Sequence, residues 1–139
     1  MSGSHTLKSW SSTQKSITLS SGEAELVAVV KMSCELMGLM QMMKEWGLHR
    51  SGRVWVDSAA ALGIVRRKGN GKMRHVRVSQ LWVQEANEKG ELAYSKVLGT
   101  DNPSDLMTKY LSGTDIGRHM STLRQQYLQG KASKGLDLV

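Results

Sequence analysis

The chain has few of the residues that constrain small folds: its 139 residues include one cysteine, one proline and no phenylalanine. The single cysteine, Cys34, excludes an internal disulfide, so we expect an intracellular protein of the cytoplasm or nucleus. Acids are scarce as well, 12 against 19 lysines and arginines, which gives a formal net charge of +7 and a sequence pI near 9.8. This balance favours anionic partners, above all nucleic acid, and the length suffices for one domain with a core.

A membrane or secretory role is not predicted. Residues 8–15 are polar where a secretory leader would need an apolar core. The longest apolar run, residues 26–43, is interrupted by Lys31, Glu35 and Gln41. We therefore predict a buried helix and no membrane partner.

Periodicity and capping signals predict alternating strands and helices. The predicted elements are two short strand segments (5–11 and 16–20), a helix (21–46), a strand (53–57), a helix (58–67), a loop (68–72), a helix (76–88), a strand (92–98), a helix from Asn102-Pro103 to about 111, and a last helix (115–128). This order indicates an α/β fold with a mixed sheet.

The first helix carries an unusual carboxylate. Ser20 and Glu23 form a capping-box pattern that predicts the helix start. Glu25 then heads an apolar row at helical spacing: Ala28, Val29, Met32, Leu36, Leu39 and Met43. A carboxylate there is costly to bury unless it is paired or holds a metal; alternatively, it lies at the open helix end and complements the helix dipole.

Two further acids stand at the ends of predicted elements: one at the end of a strand and one at the start of a helix. Asp57 ends a strand, where ligand sites of α/β sheets gather, but it is also a good N-cap for helix 58–67. Asp105 stands in the first turn after Asn102, where an acid binds free backbone amides. If they converge, Glu25, Asp57 and Asp105 offer the hard oxygen ligands that Mg²⁺ or Mn²⁺ takes in phosphodiester hydrolysis.

A cluster of cations surrounds the glycine-rich loop without an intervening acid: Arg66, Arg67, Lys68, Lys72, Arg74 and Arg77. It predicts a surface that binds phosphates, and the alternative is a solvated charged face. For Trp55 and Trp82 we favour core packing over stacking on bases. His5, His49 and His119 show no paired metal spacing and are predicted at the surface.

Four segments in series resemble the ribonuclease H domain of a copia-type retrotransposon Pol polyprotein, over roughly residues 5–112. They are residues 8–14 (KSWSSTQ) with 20–26 (SSGEAEL), residues 57–60 (DSAA), residues 74–85, and residues 100–109 (TDNPSDLMTK). The resemblance implies a ribonuclease H-like mixed sheet flanked by helices in residues 1–112, followed by a C-terminal helix and tail in residues 113–139. It also implies that Glu25, Asp57 and Asp105 are catalytic metal ligands, and it adds His75 to the substrate contacts.

The chain departs from this family in one important respect. The family has four acids, the first on an upstream strand, whereas no Asp or Glu precedes Glu23 here. We therefore expect an N-terminally incomplete domain that lacks the first strand and most of the second, binds metal poorly and cleaves slowly or not at all. Arg77 also replaces an acid of the family pattern, which affects the substrate contacts of that helix.

The resemblance implies a module that follows the reverse transcriptase portion of the same polyprotein and hydrolyses RNA in RNA–DNA hybrids. Two other hypotheses remain open. One is a non-catalytic remnant that binds nucleic acid through its basic surface. The other is a structural fragment that is unfolded on its own.

Overall fold

The computed structural model describes residues 1–2, 5–12, 18, 20–69, 71 and 81–126. The chain divides into two compact units, Thr13–Thr100 and a terminal unit made of Met1–Ser12 and Asp101–Val139. The first, here the sheet unit, contains α1 (Ser21–Glu45), β1 (Gly52–Val56), α2 (Ala59–Arg66), α3 (Trp82–Glu88) and β2 (Leu92–Lys96). The terminal unit contains a short 3₁₀ helix (Pro103–Met107) and α4 (Gly113–Thr122). The predicted boundary between residues 112 and 113 stays a prediction.

Helix α1 begins and ends where its sequence signals predict. The backbone N–H of Glu23 donates to Ser20 Oγ at 3.2 Å, which caps the first turn. Gly47, just past the C-cap, has φ of +76°, a conformation that suits glycine. The buried stripe begins at Leu26, however, and not at Glu25. It consists of Leu26, Val29 and Ser33, with the half-buried Leu36 and Met40 continuing it.

One helix among the described residues, α1, has the length and composition to cross a membrane. An 18-residue window of it has a mean hydropathy of 1.4, and 17% of that window is buried. Length and composition are weak evidence for a membrane span, since the core helix of a soluble protein passes the same test. The prediction that α1 is not a membrane span stays a prediction.

Strands β1 and β2 are parallel neighbours, with Gly52 opposite Leu92 and Val56 opposite Lys96. Alternate residues of β1 are buried, so one face of the pair lies against the helices and the other faces solvent. The α/β class is therefore confirmed, with both strands within two residues of their predicted ends. In the described part of the chain the sheet has these two strands, and a mixed, ribonuclease H-like sheet stays a prediction.

The core of the sheet unit lies between the covered face of the sheet and three helices. Leu26 of α1, Val65 of α2, Val83 of α3 and Leu92 of β2 are fully buried. Each such side chain contributes about 1.5–3 kcal/mol relative to an exposed one. Gly52 allows α1 to approach the sheet, because an added Cβ would lie 2.6 Å from Met40 Sδ and 2.7 Å from Leu92 Cδ2.

The terminal unit has shorter helices than the sequence predicts. Asn102 caps the 3₁₀ helix through a bond from the Ser104 N–H at 3.2 Å, as predicted, but this helix ends at Met107 and not near 111. The last helix, α4, occupies Gly113–Thr122, so it begins two residues before the predicted start at 115 and ends at Thr122, before the predicted end at 128. Residues 127–128 lie outside the described residues. His119 of α4 is buried, which corrects its predicted place at the surface.

The two predicted N-terminal strand segments, 5–11 and 16–20, lie only partly within the described residues. An isolated antiparallel bridge joins Ser2 and His5, and residues 6–12 form no strand. Residues 16, 17 and 19 of the second segment lie outside the described residues, as do residues 76–80 of the helix predicted at 76–88.

Candidate acidic site at the carboxyl end of the sheet

Asp57 leaves the sheet directly after β1 and is half-buried. The cap of α2 is its neighbour, Ser58, whose Oγ accepts from the Ala61 N–H at 3.2 Å. The alternative role of Asp57 as N-cap was therefore wrong. Asp57 lies at the carboxyl end of a parallel strand, where α/β folds place ligand-binding groups.

Lys96 is a neighbour of Asp57 that the sequence did not reveal. Its ammonium, at the end of β2, donates to the backbone carbonyl of Asp57. The next residue, Val97, donates its N–H to the Val56 carbonyl at 3.0 Å. Only the register of the two strands shows this proximity, because residues 57 and 96 are far apart in sequence.

Glu25 lies about one helical turn after Gly22, the residue at which α1 contacts α2. A Cβ added to Gly22 would be 3.4 Å from the Ala60 Cβ, so the two helices begin beside one another. Ala60 is three residues after Asp57, and this contact brings the start of α1 to the carboxyl end of β1. Glu25 is exposed, which agrees with the alternative that its carboxylate lies at the open end of the helix.

Asp105 belongs to the terminal unit and is buried there. Its Oδ2 lies 2.9 Å from Lys109 Nζ in an i,i+4 ion pair, so the buried carboxylate has a cationic partner. Its backbone carbonyl accepts from the N–H groups of Thr108 and Lys109 at 3.1 and 3.0 Å.

The convergence of Glu25, Asp57 and Asp105 stays a prediction, because the three acids divide between the two units. Within the described part of either unit, no three His, Cys, Asp or Glu side chains are grouped so as to hold a metal ion. What the sheet unit does bring to one end is Asp57, Lys96 and the start of α1.

Three of the predicted phosphate-binding cations are described, and each contacts the protein itself. Arg66 Nη2 donates to the Tyr94 carbonyl at 3.1 Å. Lys68 Nζ lies 2.5 Å from Glu88 Oε1 on the surface, and this hydrogen-bonded partner raises the pKa of Lys68. Arg67 packs its guanidinium on the loop, since a Cβ at Gly71 would be 2.7 Å from it. The predictions for Lys72, Arg74, His75 and Arg77 lie outside the described residues.

Gln84 of α3 holds the loop that carries these cations. Its Oε1 accepts from the Gly69 N–H at 2.9 Å, and its Nε2 donates to the carbonyls of Ile64 and Gly69 at 2.8 and 3.1 Å. One side-chain amide thus joins the last turn of α2, the loop and α3. The loop turns at Gly69 with φ of +73°, which a side chain would strain.

The solvent face of the sheet carries an exposed aromatic ring. Trp55 is 59% exposed, and the Arg53 guanidinium lies 5.7 Å from the centre of its ring. Its neighbour across the strands is Ser95, a small residue. The core interpretation of Trp55 was therefore wrong, whereas Trp82 packs half-buried against the core.

The comparisons with known proteins agree with one part of the sequence interpretation. The chain is 31% identical over 104 residues to a retrovirus-related Pol polyprotein from transposon TNT 1-94 of Nicotiana tabacum. The match covers 73% of this chain, and it spans only 8% of the length of that relative. No protein-family profile matches the chain, and no solved structure matches it. The similarity supports an origin of this chain in a retrotransposon Pol polyprotein.

Proposed function

We propose that the chain is a ribonuclease H-like module of a retrotransposon Pol polyprotein. In this proposal it binds RNA–DNA hybrids, acts beside the reverse transcriptase portion of that polyprotein, and hydrolyses the RNA strand with the help of Mg²⁺ or Mn²⁺. The observation that carries the proposal is the place of Asp57, half-buried at the carboxyl end of a parallel strand. The similarity to a Pol polyprotein supports it independently.

The donor set suits a hard divalent cation. The proposed ligands, Glu25, Asp57 and Asp105, all offer carboxylate oxygens, which Mg²⁺ and Mn²⁺ prefer. Glu25 is exposed and Asp57 half-exposed, so both can be reached by a hydrated ion and a nucleic acid. When bound, such ions activate a water and stabilise the leaving oxygen of a phosphodiester.

We expect cleavage to be slow. The resemblance implies four acids, and the residues proposed here, Glu25, Asp57 and Asp105, supply three. A smaller anionic donor set binds divalent cations more weakly and fixes them less firmly, so the metal-dependent rate falls.

The test is hydrolysis of a labelled RNA–DNA hybrid at saturating Mn²⁺ and Mg²⁺. The proposal expects slow cutting of the RNA strand that requires metal and is lost in Asp57→Asn. Glu91→Gln removes an exposed carboxylate directly before β2, at the amino end of the strands and so at the opposite end from Asp57, and is the matched control. Cutting that survives in Asp57→Asn, or in EDTA, would contradict the proposal.

A second candidate is binding of nucleic acid without catalysis, which the exposed cations Arg66 and Lys68 favour. Arg66 donates through Nη2 to the Tyr94 carbonyl and Lys68 through Nζ to Glu88, and both side chains have further N–H groups that can donate to phosphates. Hybrid affinity that falls steeply with salt, without metal-dependent cutting, would identify this function. If the chain neither binds nor cuts a hybrid, the hypothesis of a structural fragment is the one that remains.

A further inference from the structure

We infer that Trp55 is a stacking platform for an unpaired base of a single-stranded nucleic acid, with Arg53 beside it to bind the phosphate backbone. This inference concerns the solvent face of the sheet and does not depend on the hydrolysis proposed above. It starts from the Trp55 side chain, which is 59% exposed although it belongs to a strand.

Both side chains have polar groups available for a ligand. The Arg53 guanidinium lies 5.7 Å from the centre of the Trp55 ring, within the range of a cation–π contact. In the described part of the chain, neither this guanidinium nor the Trp55 indole N–H makes a hydrogen bond or an ion pair. Because a guanidinium has five N–H donors and an indole has one, the pair can donate to phosphate and base oxygens.

The neighbours of the ring on the adjacent strand are small. Trp55 is opposite Ser95, and Arg53 is opposite Ala93. Ala93 is exposed and Ser95 is half-buried. The part of β2 beside the ring therefore presents no bulky side chain to an approaching base, and the flat face of the ring can take one by stacking.

The chemistry of this face favours a nucleic acid over a protein partner. Strands β1 and β2 contain no Asp or Glu, and the nearest acids in sequence, Asp57 and Glu91, lie beyond the strand ends. The whole chain carries a net charge of +7. Protein interfaces have apolar cores with few charges, whereas the neighbours of this ring are an arginine, an alanine and a serine. An aromatic ring beside a cation is the combination that binds single strands, since bases stack and phosphates attract cations.

The experiment compares two labelled single strands by fluorescence anisotropy: an oligothymidylate and a strand of equal length whose nucleotides are abasic. Both strands carry the same phosphates, so the ratio of their affinities isolates the contribution of the bases. We expect the parent chain to prefer the oligothymidylate by about fivefold or more, which is the effect of stacking one base on an aromatic ring. Trp55→Ala should lose this preference.

Three further variants serve as controls. Trp46→Ala removes another exposed tryptophan, at the C-cap of α1, and should keep the preference. Trp55→Phe retains an aromatic ring and should stay within about threefold of the parent. Arg53→Gln should weaken the binding of both strands alike and lower the slope of log affinity against log salt by about 0.7, because one phosphate contact is lost.

A second readout applies if Trp55→Ala does not fold. The indole N–H of Trp55 gives an NMR signal in the parent chain, and Trp55→Phe identifies that signal by its loss. The signal should shift when the oligothymidylate is added and should not shift with the abasic strand.

The outcomes that would overturn the inference are distinct from failure of the proposed function. A parent chain that binds neither strand, binds both equally, or keeps its preference in Trp55→Ala does not stack a base on Trp55. A parent chain that is dimeric by gel filtration and monomeric as Trp55→Ala would assign this face to a second copy of the chain. Hybrid cleavage is measured separately, so its absence leaves the stacking role standing, and absence of stacking leaves the proposed function standing.

Discussion

The hydroxyl groups of Ser33 and Tyr94 lie 3.0 Å apart inside the sheet unit and join the middle of α1 to β2. Ser33 Oγ also donates to the Val29 carbonyl at 2.8 Å. Because serine has one hydroxyl proton, Tyr94 is the donor to Ser33. Both residues are buried, so this pair is a polar link within an otherwise apolar core.

We predict that the two hydroxyls are energetically coupled. Ser33→Ala removes the acceptor of a buried phenol and should lower the free energy of unfolding by about 1–3 kcal/mol. Tyr94→Phe leaves Ser33 bonded to Val29 and should cost less, about 0.5–1.5 kcal/mol. Urea unfolding of both single variants and the double variant measures the coupling, and strictly additive losses would contradict it.

Alkaline pH provides a second test of the same residue. Burial raises the pKa of the Tyr94 phenol above its ordinary value of 10.0. Since the unfolded chain releases this proton first, the stabilisation is fully present below about pH 10 and is lost as pH rises toward the folded-state pKa.

The parent chain should therefore lose stability above about pH 10 more steeply than Tyr94→Phe, whose position 94 cannot ionise. Urea midpoints measured across this range for both proteins give the comparison. Parallel curves would show that the phenol is not protected in the folded state.

Gln84 should control the order of the cationic loop. Gln84→Ala removes three hydrogen bonds, and we expect a loss of about 1–3 kcal/mol in the free energy of unfolding together with faster exchange of the Gly69 amide. Gln84→Met keeps the length of the side chain and separates packing from hydrogen bonding. Unchanged Gly69 exchange in both variants would show that the loop is held by other contacts.

Two glycines should respond oppositely to alanine. At Gly52 the new methyl meets Met40 and Leu92, so Gly52→Ala should destabilise by about 1–3 kcal/mol. At Gly63, in the exposed middle of α2, nothing lies within 4 Å of the added Cβ, and Gly63→Ala should stabilise by about 0.5–1 kcal/mol. Thermal unfolding checks both signs, and a stabilising Gly52→Ala would argue against the close contact between α1 and β1.

The parts of the fold that could be predicted are those set by local chemistry. The cap at Ser20, the cap at Asn102 and the apolar strand β1 depend on neighbouring residues, and the structure has all three. The stripe of α1 could not be chosen from the sequence, because each of the two candidate rows is apolar except for one residue: Glu25 in the first row and Ser33 in the row from Leu26. Long-range packing on the sheet selects the second row.

For the candidate site, too, the sequence predicts the residues at the strand end but not the long-range pairing that sets their roles. Asp57 and Ser58 are both good capping residues, and the choice between them depends on the residue at which pairing with β2 stops. The neighbourhood of Lys96 depends on the same register, which no local pattern contains. Trp55 was assigned to the core because parallel strands are usually covered on both faces, whereas here helices cover one.

The parallel arrangement of β1 and β2 has a consequence for how the chain reaches this state. Neighbours that run in the same direction cannot be joined by a tight hairpin, so β2 can meet β1 only after the crossover through α2 and α3 has folded back. The entropy of closing that long loop is lost before any ladder bond is gained. We therefore expect the two strands to pair late in folding, and a defect in either crossover helix to slow that pairing.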